Sequence, residues 1–283
     1  METNQEKTVL VVGASSGIGR ACALHLARRG YRVLGTTRRS ESDVEADLRR
    51  ELASSDRLEI IAMDVDEEAS VAAGVREVAE RAGRIEGVIN CAGFGFGGSI
   101  EDTADDEAKA TFETNFFGTL RVCRAVLPIM REQRSGTIIN ISSIGGRIAV
   151  PFVGLYGASK FAIEGLTEAL RMEVARFGIR VVLVEPGDFA TGFTDHRRPV
   201  RGASENAVYA DAYRAALAVI ERDERGGASP EAIGRLVTRI LSARSPRLRY
   251  TVGPIFQRVA VRLKSILPSR LFGWALGQYY RVG

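Results

Sequence analysis

Thr8-Val-Leu-Val-Val12-Gly13-Ala-Ser-Ser-Gly17-Ile-Gly19 opens with an unbroken apolar run and passes, through three glycines, into a helical pattern that stops at Gly30. A short apolar run without alternation reads as a strand covered on both faces. The glycines let the chain turn tightly between strand and helix, and they let its backbone approach a ligand closely. The free N–H groups of the helix that follows suit a pyrophosphate. Gly13, Ser15, Ser16, Gly17, Ile18 and Gly19 are therefore candidate residues for a dinucleotide loop. Gly13-x-Ser15-x-Gly17 also spells a nucleophile elbow, but only one strand precedes Ser15 and His196 would be the sole possible partner, so the hydrolase reading is poor.

The same rhythm repeats along the chain. Strands are expected at Thr8–Val12, Arg32–Thr36, Leu58–Ala62, Gly87–Asn90, Thr137–Ser142, Arg180–Val184 and Leu248–Val252. Between them the spacing predicts helices, among them 17–29, 67–82 and 156–177, each followed by a glycine stop at Gly30, Gly83 or Gly178. Such alternation builds a parallel sheet with helices on both faces, an α/β doubly wound domain of seven strands. The expected division is a dinucleotide-binding and catalytic domain over 1–253, with a substrate lid at 188–228, and a basic amphipathic extension over 254–283.

At 283 residues, 45% hydrophobic and 26% charged, the composition is that of an ordinary globular chain. No apolar run approaches the roughly 18 residues of a membrane-spanning helix. The polar start Met1-Glu-Thr-Asn-Gln-Glu6 lacks the features of a signal peptide, and three scattered cysteines form no disulfide framework, so a cytoplasmic location is expected. With His25 and His196 the only histidines, no metal site is expected. Of 39 basic residues, ten follow Glu231, where no acid occurs, leaving 29 against 35 acids in the preceding body. That balance excludes a nucleic-acid-binding domain and points the tail at something anionic or at the acidic body.

The second strand ends Thr36-Thr37-Arg38-Arg39 with no acid before Glu41. An acid here would bind a ribose 2′-hydroxyl, whereas arginine suits a 2′-phosphate, so Arg38 argues for NADP(H) over NAD(H). Tyr156-Gly-Ala-Ser-Lys160 places a phenol and an ammonium four residues apart on one helix face. A neighbouring cation should lower the phenol's pKa and equip Tyr156 to exchange protons with a carbonyl or alcohol oxygen. The strand end Asn140-Ile-Ser-Ser143 lies upstream, with Ser143 thirteen positions before the tyrosine and Ser142 its rival.

Over roughly residues 8–192 these landmarks resemble the short-chain dehydrogenase/reductase family. The match comprises Gly13, Gly17 and Gly19, then Asp64, Asn90-x-Ala92-Gly93, Asn115, Ser143, Tyr156, Lys160, and Pro186-Gly187 with Thr191. Cys91 stands where the family's motif has a second asparagine. The resemblance implies a Rossmann fold and an enzyme acting on CH–OH and C=O groups. Ser143 would orient the substrate oxygen, Tyr156 act as acid/base, and Lys160 hold the nicotinamide ribose, while Asn115 supports a proton-relay water. It further implies that Asp64 and Val65 contact the adenine, that Asn90, Ala92 and Gly93 line the cofactor site, and that Pro186, Gly187 and Thr191 flank the nicotinamide. A homodimer or homotetramer is the expected assembly.

Phe94, Phe96, Phe152, Leu155, Phe189 and Phe193 are expected to line an apolar substrate cleft. Phe161-Ala-Ile-Glu-Gly-Leu166 and Phe177-Gly-Ile-Arg180 resemble the 17β-hydroxysteroid and retinol dehydrogenases, implying a bulky lipophilic substrate. A sensor or scaffold that binds NADPH without turnover is the alternative, disfavoured by the intact Ser143, Tyr156 and Lys160. In the tail, Ile255, Phe256, Val259, Leu263, Ile266 and Leu267 form one helical stripe. It reads either as a cap packed on the domain, the favoured reading, or as a peripheral membrane anchor.

Overall fold

The computed structural model describes residues 7–52 and 57–282. Residues 1–6, on which the reading of the N-terminus rested, lie outside that set. Seven strands form one parallel sheet: β1 Thr8–Val12, β2 Arg32–Thr37, β3 Leu58–Ala62, β4 Gly87–Asn90, β5 Gly136–Ile141, β6 Ile179–Pro186 and β7 Arg249–Val252. Their order across the sheet is β3-β2-β1-β4-β5-β6-β7. The order reverses beside β1, where β1 pairs with β2 on one edge and with β4 on the other. A crevice opens at such a reversal, outside the carboxyl ends of the strands. Every residue of β1, β4 and β5 is buried, which accounts for their unalternating apolar sequence.

Eleven helices are described: α1 Gly17–Arg28, α2 Glu41–Glu51, α3 Glu68–Ala82, α4 Asp105–Phe112, α5 Gly118–Gln133, α6 Gly154–Val174, α7 Phe193–His196, α8 Ala207–Arg225, α9 Glu231–Ser242, α10 Ile255–Lys264 and α11 Ser269–Tyr280. One apolar layer joins α1 and α9 to the sheet through Cys22, Leu26, Val33, Ile139, Ile233 and Val237. On the other face α3 and α5 contribute Val71, Val75, Val122, Val126 and Met130. Gly30, Gly83 and Gly178 all adopt positive φ, as expected of glycine stops.

Two regions add detail that the sequence does not give. The stretch 188–228, expected as a substrate lid, is not all loop and contains the 19-residue α8. Asn206 caps that helix by accepting the Val208 N–H, and Ala216, Val219 and Ile220 supply the inward stripe. The tail differs from the expected cap: Gln257 and Val261 face inward, while Ile255, Phe256, Val259, Leu263 and Ile266 are exposed. A polar contact decides that rotation. The Gln257 side-chain carbonyl accepts the Asp188 N–H at 2.9 Å, and its amide donates to the Asp188 carboxylate.

Candidate functional site

The strand-to-helix turn after β1 is built on close backbone approach. Gly13 and Gly17 adopt φ of +79° and +53°, and a Cβ on Gly19 would stand 2.1 Å from the Gly13 carbonyl oxygen. Only glycine fits there. The Ala14 N–H donates to the Thr36 carbonyl at 2.9 Å, tying the loop to the end of β2. No acid occupies the first turn of α1, so its N-terminal dipole faces the crevice uncompensated. A cleft of about 870 Å³ runs from this turn past Arg38, Val65, Ala92 and Gly93 to Ser143, Tyr156 and Lys160, and on to Pro186, Gly187 and Thr191.

Arg38 sits half-exposed at the rim, and its guanidinium pairs with Asp66 at 3.0 Å and with Asp64 at 3.7 Å. Asp64 does not line the cleft. Its carboxylate accepts the Asp66 N–H at 3.0 Å and holds the turn that presents Arg38. Asn90 likewise lies outside the cleft: it is buried, and its amide donates to Asn140 Oδ1 at 2.8 Å, joining β4 to β5. Cys91 lies against Gly19, and its thiol is pushed well up, first by its contact with Cys22 and then by burial. It is a packing residue.

Helix α6 carries Tyr156 and Lys160 to the cleft. Lys160 Nζ donates to the Ile141 carbonyl at 3.0 Å and lies 5.6 Å from the Tyr156 ring centroid. Ser143 ends the β5 extension, and its Oγ accepts the Gly145 N–H at 2.9 Å. Phe193 covers the other side of the phenol, with ring centroids 5.3 Å apart. Burial pushes the Tyr156 phenol up to about 12, against a lowering contribution from the Ser143 hydroxyl. Burial also draws the Lys160 ammonium down to about 8. The expected depression of the phenol by Lys160 is thus not what the protein's own groups produce. The ammonium is engaged with a carbonyl, and desolvation dominates at the phenol.

Asn115 is fully buried behind the cleft, in the single π-turn Glu113–Phe117 between α4 and α5. Its Oδ1 accepts the Phe94 N–H at 3.0 Å, and its amide donates to the Phe94 carbonyl and to Ser159 Oγ, both at 2.9 Å. It pins the loop after β4 to α6. Such π-turns often mark functional sites.

Of the six expected substrate residues, Phe94, Phe189 and Phe193 line the cleft. Phe189 is also a core residue. Phe96 instead belongs to a two-residue strand pairing with Arg198, and its ring packs on Phe94 at 5.5 Å. Phe152 adopts a φ of +61° and stacks on Tyr209 and Tyr213 of α8 at 6.4 and 5.5 Å. Leu155, half-buried at the start of α6, is also absent from the cleft wall, because its neighbour Tyr156 takes the inward position.

Sequence spacing missed a polar cluster at the outer end of the cleft. The Arg197 side chain is only 6% exposed; it pairs with Glu224 and passes 5.8 Å from the Phe193 ring centroid. Glu224 also accepts the Thr194 hydroxyl at 2.7 Å. Asp188 lies near both, its carboxyl raised to about 6 by burial. Twenty-seven residues separate Arg197 from Glu224, so no local motif links them.

A family model described as short chain dehydrogenase matches residues 7–201. The chain belongs to the short-chain dehydrogenase/reductase family. It is accordingly an oxidoreductase of CH–OH and C=O groups that uses a nicotinamide dinucleotide. A 3-ketodihydrosphingosine reductase of Bacteroides thetaiotaomicron is 40% identical over 278 residues, covering 98% of this chain and 99% of that protein. An uncharacterized oxidoreductase of Bacillus subtilis, YusZ, is 33% identical over 95% of both chains. Among solved structures, a short-chain dehydrogenase from Streptomyces avermitilis superposes with a TM-score of 0.81 at 33% identity, covering 96% of this chain and 97% of that one. A Burkholderia phymatum family member, in complex with NAD, gives 0.80 at 25% identity over 94% and 95% of the two chains.

Proposed function

We propose that this enzyme is an NADPH-dependent reductase of a ketone carried on a long-chain lipid, of the 3-ketodihydrosphingosine type. The observation that carries this reading is the convergence of Tyr156, Ser143 and Lys160 on one wall of a cleft whose other end is the glycine turn. The relative of like length from Bacteroides thetaiotaomicron supports the substrate class. So does the aromatic wall of Phe94 and Phe193, since apolar pockets with a few placed polar groups suit lipophilic ligands. Among lipophilic substrates, this reading prefers a lipid-chain ketone to a steroid or retinoid.

The turn fits the cofactor on its own geometry: a Cβ would fill the space at Gly19, and the N–H groups at the start of α1 have no acid before them. Gly13 to Gly19 would hold the pyrophosphate and Arg38 the 2′-phosphate. The Burkholderia phymatum relative binds NAD; in this chain the absence of an acid at the end of β2 and the presence of Arg38 there favour NADPH. Ala92, Gly93, Pro186, Gly187 and Thr191 would enclose the nicotinamide end. When bound, the reduced cofactor supplies a hydride.

The protein's part is positioning and proton transfer. With its phenol held up near 12, Tyr156 keeps its proton at neutral pH and can donate it to the substrate's carbonyl oxygen. Ser143 receives the Gly145 N–H on its oxygen, which leaves its own O–H to orient that same carbonyl. The cationic form of Lys160 stabilises the phenolate left by proton transfer. Asn115 holds the loop after β4 against Ser159 on α6, and would support the water that returns a proton. Phe193 excludes solvent from the phenol's open side.

The test is NADPH oxidation by the purified protein against 3-ketodihydrosphingosine, a steroid ketone, retinal and a short water-soluble ketone. Selective turnover of the long-chain amino ketone is expected. Preference for steroid or retinal sinks the substrate class, and turnover with none of them sinks the reductase reading.

A further inference from the structure

We propose that the two C-terminal helices dock this enzyme on an anionic lipid surface. The inference goes beyond the reductase reading and stands on different residues. Helix α10 turns Gln257, Val261 and Lys264 inward, where Lys264 Nζ donates to the Arg147 carbonyl. Helix α11 turns Phe272, Leu276 and Tyr280 toward α8, and the Tyr279 hydroxyl beside them donates to Asp223 at 2.5 Å. Both helices are therefore fixed to the body by specific contacts, and their remaining faces point away from it.

Those outward faces are apolar. Ile255 is 75% exposed, Ile266 77% and Trp274 64%, with Leu263 and Leu271 beside them. Large apolar side chains left exposed together on two successive helices of a folded protein mark an interaction site. Its rim is cationic: Arg258, Arg262, Arg270 and Arg281 are exposed and have no carboxylate partner among the described residues. Several arginines elsewhere are paired with carboxylates, among them Arg20, Arg32, Arg38, Arg81, Arg201 and Arg249, so what marks the tail is that its exposed arginines adjoin an apolar face. No acid follows Glu231 to neutralise the tail from within.

An apolar face rimmed by unpaired cations matches a bilayer surface with anionic headgroups. An exposed tryptophan such as Trp274 suits the headgroup boundary. A second copy of the chain is a poorer occupant, because a two-fold contact would set this cationic rim against itself. Helix α10 adjoins the catalytic wall through Gln257 and Asp188. Docking on this face would hold the reductase's cleft close to a reservoir of lipid.

Trp274 is the only tryptophan, so its emission reports the face directly. The full-length protein is spun with phosphatidylcholine vesicles, with and without phosphatidylglycerol, while that emission is recorded. Co-sedimentation with the anionic vesicles alone, a blue shift of Trp274 and reversal by salt are expected. Replacing Arg258, Arg262, Arg270 and Arg281 together by Ala should cut partitioning by about a hundredfold or more. Because these side chains are exposed and unpaired, the variant keeps its circular dichroism and its NADPH affinity. Absence of sedimentation and of any shift, equal binding to neutral vesicles, or an unaffected arginine variant each overturns the proposal. So does a protein that self-associates through Trp274, detected as emission that is already blue and blind to vesicles. None of these readouts requires turnover, so their failure is separate from failure of the reductase reading.

Discussion

Lys160 Nζ lies 5.6 Å from the centre of the Tyr156 ring and gives its hydrogen bond to the Ile141 carbonyl rather than to the phenol. The pair shares a face of α6, yet each group is shaped chiefly by its own burial. The phenol holds its proton tightly and the ammonium holds its proton loosely. This division sets the pH behaviour expected of carbonyl reduction.

For reduction, Tyr156 must be protonated, a condition met well below about 12. Lys160 must be charged, and with its pKa lowered to about 8 that charge is lost as pH rises through about 8. The profile of kcat/KM should therefore be level near neutrality and fall above about 8, with one proton lost. A profile that stays level to pH 10 would remove Lys160 from the rate-determining charge balance.

Tyr156→Phe removes the donor and keeps the ring that packs on Phe193. Turnover should drop by about a thousandfold or more, within the range of general-acid contributions, while NADPH affinity by fluorescence titration changes little. A variant that retains a tenth of wild-type activity would show that another group donates the proton.

Arg38→Ala should raise the KM for NADPH by about tenfold or more, the cost of losing one charge-assisted contact, and leave the KM for NADH nearly unchanged. Asp64 and Asp66 hold the guanidinium at the rim. Equal effects on the two cofactors would reduce Arg38 to a surface ion pair.

The Asp188 carboxyl is raised to about 6, so the folded protein binds its proton more tightly than the unfolded chain does. Its contribution to stability is complete below the ordinary carboxyl range near 4 and is lost as pH rises to about 6. Asp188→Asn preserves an acceptor for Gln257 and removes the buried charge. It should raise the melting temperature at pH 8, by the equivalent of up to about 3 kcal/mol, and change little at pH 4. An equal shift at both values would show that the charge is not the cause.

Arg249 bridges Glu164, Glu168 and the fully buried Glu185 at the end of β6. Arg249→Ala leaves Glu164 and Glu185 buried with less compensation, Arg147 and the Thr251 hydroxyl being the partners that Glu185 keeps. Denaturant unfolding should show a loss of about 3 kcal/mol or more. A loss under about 1 kcal/mol would mean that water reaches the cluster.

Much of this was legible in the chain because its signals are local. The glycine spacing at Gly13, Gly17 and Gly19 and the apolar runs of β1 and β4 each reflect one backbone demand written in adjacent residues. The four-residue step from Tyr156 to Lys160 is a helix-face relation of the same kind. Asn90, Asp64 and Phe152 lie off the cleft because their side chains are claimed by partners distant in sequence, Asn140, Arg38 and Tyr213, and the backbone of Phe96 is held in a strand pair with Arg198 while its ring packs on Phe94. The tail reversed its expected orientation for a similar reason. Its stripe marks an apolar face correctly, but the contact of Gln257 with Asp188 determines which face turns inward. Arg197 with Glu224 and the fan of acids around Arg249 are long-range pairings that hydrophobic periodicity does not encode.

A Cβ on Gly253 would meet Gly187 at 3.2 Å from its Cα, so the root of the tail lies backbone against backbone with the segment beside the cleft's inner wall. With no side chain between them to yield, the two must travel together.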